Sequence, residues 1–282
     1  MLLNGMCRIF DRVKNYVAIM HSKIPEPVQP VLQKYLLLIE KELPGFLIGF
    51  YLHGSLALGA FNTHWSDIDF ITVISRRCRT EDVERLKNIH GQLARKHPRW
   101  DLSGSYLQLE DLGQSNEAIA PAPCHHDGVL NSIGHPEAGL VTWWVLKNRG
   151  IAVVGNELSN LPFTIDWENL MTGMHQNLNT YWKDFTCKPS RMSWLLTDYG
   201  IQWAVLGVLR LYYTFCEQDI TSKFGAGEYA LKHLPTQWHG IIRDAISIRN
   251  QKKVTFYKLR LMRALEAIRF IKYVIQECNH NF

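Results

Sequence analysis

The sequence predicts an α+β protein in two parts: an N-terminal α/β domain with a mixed sheet, then an all-α helical bundle. Three observations predict it. Apolar runs at 46–52 and 70–74 are short and bounded by turn residues, as strands are. Helical and strand patterns alternate through residue 154, which argues a layered α/β sandwich. From residue 167 onward no convincing strand pattern remains, and the last stretch carries a broad apolar stripe at 259, 261, 262, 265, 268, 271 and 275. The boundary falls near 157–165, giving domains 1–157 and 158–282.

Residues 1–24 read as helical. Pro25, Pro27 and Pro30 then punctuate the chain before a helix over 31–43, whose Leu32, Leu36, Ile39 and Leu43 recur at helical spacing. Pro44-Gly45 ends it, and the strand over 46–52 follows. His53-Gly54-Ser55, a brief Leu/Ala segment and a polar loop at 62–66 lead to Asp67-Ile68-Asp69 and the second strand. After the basic turn Arg76-Arg77-Cys78-Arg79, Thr80 precedes an acidic first turn as an N-cap would, for a helix to about Lys96. Pro98 breaks it, and a third strand is expected over 100–109. Residues 112–136, rich in Gly, Pro and Asn, read as a long loop. Within it, Cys124-His125-His126-Asp127 has the composition of a metal site. Adjacent residues do not all reach one ion, however, and no distant pair has zinc-finger spacing, so a substrate-facing loop is expected. A helix over 140–147 and a strand over 151–154 close the first domain. Helices are expected in the second over 167–183, 191–216, 236–249 and 255–278, with Pro189, Gly225-Ala226-Gly227 and Pro235 between them.

Composition narrows the function classes. The 282 residues are enough for a substantial core. Six cysteines lie scattered at 7, 78, 124, 187, 216 and 278 without CxxC spacing, which points to reduced thiols and a cytoplasmic protein rather than a disulfide framework. The first twenty residues interrupt their apolar positions with charges, unlike a signal peptide, and no window reaches transmembrane length, so no membrane partner is expected. The net charge of +5 is mild, and no basic stripe with interleaved aromatics marks a nucleic-acid surface.

The chemistry centres on residues 46–74. In a strand, residues two apart share a face, so Asp67 and Asp69 project side by side. Two carboxylates that close repel unless a cation lies between them, and magnesium suits such a pair because it keeps positions open for water and phosphates. The preceding turn supplies the complement: Gly54 permits close backbone approach to a ligand, and Ser55 offers a hydroxyl and an N–H. A phosphate cradle beside a metal-binding pair is what nucleotidyl transfer to a hydroxyl requires.

Gly-Ser, eleven residues and Asp-x-Asp in that order resemble the signature of the DNA polymerase β-like nucleotidyltransferases. Together with VLGVLRLYYTFCEQDITSKFGAGEYALKHLP in the second half, HGSLALGAFNTHWSDIDFITV resembles the aminoglycoside adenylyltransferases that modify streptomycin and spectinomycin. The likeness spans most of residues 46–250. It implies transfer of AMP from Mg2+-bound ATP to a hydroxyl of an aminoglycoside-like small molecule by a monomeric antibiotic-resistance enzyme. By position it implies that Ser55 binds triphosphate, that Asp67 and Asp69 hold magnesium, that Lys223 reaches ATP, and that Asp198 lies near acidic contacts to substrate. One departure stands out. The family's third-strand glutamate acts as general base, and counting back from Asp111 by the family's offset lands on Ser103. Serine is a poor base at neutral pH, so Asp101, two residues earlier and expected on the same face, becomes the candidate third carboxylate. The alternative is a nucleotide-binding or sensing protein on the same fold with weakened catalysis. Trp143, Trp144, Trp182, Trp194 and Trp203 fall on apolar helix faces and are expected mostly in the core.

Overall fold

The computed structural model describes residues 23–134, 136, 138–252 and 256–282, so the helix expected over 1–24 falls almost wholly outside the described residues. The chain divides into two compact units, one ending at Ile165 and the other beginning at Asp166. Among the described residues no helix is long and apolar enough to cross a membrane.

In the first unit, helix α1 (Gln29–Glu42) precedes β1 (Leu47–Leu52), a single helical turn α2 (Gly54–Ala57) and β2 (Ile68–Ile74). Then come α3 (Thr80–Lys96), β3 (Leu102–Leu107), β4 (Ala122–His126), β5 (Val129–Gly134), α4 (Leu140–Arg149) and β6 (Ile151–Val154). The six strands form one mixed sheet in the order β5-β4-β3-β2-β1-β6. Only β2 and β3 run parallel, joined by the α3 crossover; the other neighbours are antiparallel.

Strand alternation builds two cores. Phe50, Leu52, Ile68, Phe70 and Tyr106 face α1 and α3, where Leu32, Tyr35, Leu36, Leu86 and Ile89 cover them. Tyr51, Ile71, Val73 and Leu107 face the other way, onto Trp143 and Leu146 of α4 and onto Leu112 and Leu161. The first core encloses a polar chain: Tyr35 Oη lies 2.7 Å from Thr72 Oγ1 and 3.3 Å from Tyr106 Oη, which in turn lies 2.8 Å from His90 Nε2. These groups satisfy one another, as buried polar groups must.

Several elements differ from expectation for identifiable reasons. Arg79, not Thr80, is the N-cap of α3; Asp82, in its first turn, accepts from the Arg79 N–H at 2.8 Å and pairs with Arg76. The long loop expected over 112–136 contains the β4–β5 hairpin. Its turn is Asp127-Gly128, with φ of +50° and +74°, the left-handed pair that favours glycine or an Asx residue.

The second unit is helical: α5 (Trp167–Asn177), α6 (Pro189–Trp194), α7 (Asp198–Glu217), α8 (Lys223–His233), α9 (His239–Arg249) and α10 (Arg260–Asn281). The helix expected over 191–216 is two, because Thr197 Oγ1 accepts from the Gly200 N–H at 2.9 Å and starts a new one. Gly225 and Gly227, expected between helices, lie inside α8. A Cβ at Gly227 would approach Ile246 Cδ1 at 2.9 Å and Leu206 Cδ2 at 3.0 Å, so this glycine permits close helix packing.

Candidate active site

The turn between β1 and β2 ties the two halves of the signature together. His53 donates its N–H to the Asp69 carbonyl at 3.1 Å, and Gly54 then turns with φ of +57°. A Cβ placed on Gly54 would lie 2.6 Å from Asp69 Cγ and closer still to its Oδ2. The glycine is therefore required twice, by its backbone conformation and by the carboxylate against it. Beyond α2, the Asn62 side-chain oxygen accepts from the His64 and Trp65 N–H groups at 2.9 and 3.1 Å, and Ser66 Oγ accepts from the Asn62 N–H at 3.0 Å. This self-bonded loop delivers exposed Asp67 and half-buried Asp69 to the mouth of β2. Beside them, Ser55 Oγ is buried without a hydrogen-bond partner among the described residues. A buried hydroxyl left so suits an incoming anion.

The sheet extends this site sideways. Asp69 is in register with Ser103 on parallel β3. Ser103 Oγ lies 2.7 Å from Nδ1 of His126, the last residue of β4. His53, just past β1, thus lines up with Asp69, Ser103 and His126 at the ends of four neighbouring strands, on the face that also carries Ile71, Val73 and Leu107. His126 Nε2 is buried and without a partner among the described residues. Burial pushes the His53 ring down to about 4, and the nearby His126 ring acts the same way, against a backbone hydrogen bond at Phe70. His53 is therefore neutral at pH 7. Sequence reasoning named His126 only within the Cys124-His125-His126-Asp127 loop and His53 only as part of the turn; the Asp127-Gly128 hairpin turn was the available signal, because it places His126 at the end of a strand.

Asp101 is not where strand alternation puts it. Its Oδ2 accepts from the Gly128 N–H at 3.1 Å, and its Oδ1 lies 3.4 Å from His125 Nδ1. The His125 ring stacks on His90 of α3 with centroids 3.7 Å apart, on the opposite face from His126. The strand proper begins at Leu102, so alternation does not govern residue 101, and its carboxylate turns to the hairpin instead of sharing Ser103's face. The same hairpin corrects the reading of Cys124-His125-His126-Asp127 as a loop: it is a strand end whose alternate side chains go to opposite faces.

No group of three or more His, Cys, Asp or Glu side chains placed to hold a metal occurs among the described residues. Asp67 and Asp69 still fit magnesium, which takes few protein carboxylates and completes its octahedron with water and phosphate oxygens.

In the second unit, Lys223 opens α8, capped by Ser222 Oγ, which accepts from the Gly225 N–H at 3.0 Å. Lys223 Nζ lies 3.6 Å from the Trp203 ring centroid, and Trp203 Nε1 donates to Tyr181 Oη at 3.0 Å. Arg210, another cation that sequence reasoning did not name, donates from Nε to the Thr221 carbonyl at 3.1 Å. Asp198, at the start of α7, pairs at 2.7 Å with Arg263, whose other branch lies 3.7 Å from buried Asp244. Burial pushes the Asp244 carboxyl upward, while its bond from Phe256 and Arg263 oppose that. Trp143 and Trp182 are buried in the cores of their respective units.

Residues 190–276 match the family described as "Aminoglycoside adenylyltransferase, C-terminal domain". The match covers less than a third of the chain and lies within its second unit. No curated protein matches its sequence. Among solved structures it is similar to the spectinomycin adenyltransferase AAD(9) from Enterococcus faecialis, determined with ATP and spectinomycin. The TM-score is 0.61 and the identity 15%, with 86% of this chain and 98% of that one covered. The likeness covers both units of the chain and establishes the α+β fold.

Proposed function

We propose that this chain transfers AMP from ATP to a hydroxyl group of an aminoglycoside-like small molecule, with magnesium. The observation that carries the proposal is the packing of Gly54 against Asp69, which joins the candidate phosphate cradle to the candidate metal pair in one rigid turn. The family match over 190–276, and a similar structure determined with ATP and spectinomycin, support the donor and the acceptor class.

In this reading Asp67 and Asp69 hold the metal, and magnesium when bound neutralises triphosphate charge and aligns the entering and leaving oxygens. Ser55 Oγ and the backbone of the Gly54 turn receive phosphate oxygens. Lys223 contributes a cation toward ATP, and Asp198 an acidic contact toward a basic acceptor. The protein works as a cytoplasmic monomer on small molecules rather than on nucleic acid. Mass spectrometry of spectinomycin and streptomycin incubated with protein, ATP and magnesium tests it; an added AMP is expected on at least one. Neither drug gaining mass, while ATP still binds, would favour a second reading. That reading is a nucleotide-binding protein of weakened catalysis, and the serine at position 103 is the observation in its favour.

A further inference from the structure

The resemblance puts its general-base position at Ser103, and the structure pairs that serine with a histidine. We propose that Ser103 and His126 form a proton relay that replaces the missing third carboxylate; the inference rests on the transfer activity proposed above. Three observations carry it. Ser103 is in register with Asp69, so its hydroxyl sits one strand away from the candidate metal pair. Its Oγ lies 2.7 Å from His126 Nδ1, a full hydrogen bond. His126 Nε2 is buried and has no partner among the described residues, so the ring exchanges protons with the site through Ser103 and not through its far edge. Asp101 does not compete for the role, because Gly128 and His125 engage its carboxylate.

The relay balances. The acceptor hydroxyl gives its proton to Ser103 Oγ while Ser103 gives its own to His126 Nδ1. The acceptor oxygen bonds to the α-phosphorus, the bond from that phosphorus to the pyrophosphate oxygen breaks, and pyrophosphate leaves with the electron pair. The imidazolium returns its proton through Ser103 to solvent once the product has gone. A serine alone is too weak a base for this step; hydrogen-bonded to an imidazole it is not.

The mechanism requires that in the resting protein Nδ1 accepts from Ser103 and Nε2 carries the hydrogen. The test has two arms on the full chain. The first is 15N NMR of histidine-labelled protein without substrate, with His126 assigned through His126→Gln; an unprotonated Nδ1 is expected, and a protonated Nδ1 overturns the relay. The second is AMP transfer kinetics. Ser103→Ala and His126→Gln should each lower kcat about 100-fold with KM for ATP unchanged, and the double variant should be no worse than either single one. Ser103→Glu in the His126→Gln background should restore most of the loss, because a carboxylate at 103 needs no relay. His126→Gln within threefold of the parent, or single effects that multiply, overturns the proposal. The tautomer is read without substrate, so the two failures look different. A wrong relay gives a protonated Nδ1; a wrong acceptor class gives an accepting Nδ1 and no transfer.

Discussion

Gly54→Ala probes the joint between the Gly-Ser turn and the carboxylate pair. The new Cβ would meet Asp69 Cγ at 2.6 Å and Asp69 Cβ at 3.0 Å, so the aspartate must leave its rotamer. The backbone at φ +57° adds its own penalty, since a residue with a Cβ held in the left-handed region costs about 1–2 kcal/mol. Displacing Asp69 by about 30° from its rotamer well adds roughly 0.5–1.5 kcal/mol. The protein should therefore lose about 1.5–3.5 kcal/mol of stability in urea unfolding, the direct consequence of these two effects. Its affinity for Mg-ATP, measured by calorimetric titration, should fall about 10–100-fold, as when the shell that orients a metal ligand is disturbed. Stability within about 0.5 kcal/mol of the parent would refute the packing argument, given how surface substitutions behave. Unchanged Mg-ATP affinity in a destabilised variant would refute the assignment of Asp69 to the metal.

Asp67→Asn should weaken magnesium-dependent ATP binding at least about tenfold while leaving the ligand-free protein no less stable, because it removes like-charge repulsion; equal affinity by titration would show that the metal lies elsewhere. Folding stability should decline as pH falls from about 6.5 toward 4. His53, titrating at about 4 in the folded state, and His90, held well below the ordinary value by burial, are both charged in the unfolded chain before they are in the folded one. Their contribution is complete above the unfolded value and is lost as pH drops; urea midpoints that stay flat down to pH 4.5, or that His53→Gln does not flatten, count against this. Trp203→Leu removes the ring beneath Lys223 Nζ, an interaction worth about 0.5–2 kcal/mol, and should weaken ATP binding several-fold. The effect should vanish in a Lys223→Met background; if the two losses add, Trp203 does not act through Lys223.

How much of this was legible in the sequence depends on whether local or cross-strand information decides each feature. The strands at 47–52 and 68–74, the crossover helix and the glycine at 54 follow from apolar runs and turn chemistry, all local signals. The place of Asp101 does not. It depends on where β3 starts pairing, and Ile68 donates to the Asp101 carbonyl at 2.8 Å just before the ladder begins. His126 was hidden by its surroundings: a segment with Pro, Gly and Asn on both sides reads as loop, and only the Asp-Gly pair marks the hairpin. Partnership with Ser103 is set by antiparallel register between residues 23 positions apart, which periodicity within one strand cannot supply. The glycines of α8 misled for a related reason. In isolation they weaken helices; Gly227, against Leu206 and Ile246, lets one helix approach others.

The lateral row from His53 to His126 has a bearing on heat and time. Its members are spaced by backbone hydrogen bonds between strands about 4.8 Å apart, not by the reach of a loop. The row lies at strand ends: His53 follows β1, Asp69 and Ser103 are each second in their strands, and His126 closes β4. Such a row can fray while the rest of the sheet stays paired, so its amide protons should exchange before those of the sheet interior. Inactivation on heating would then precede melting of the first unit.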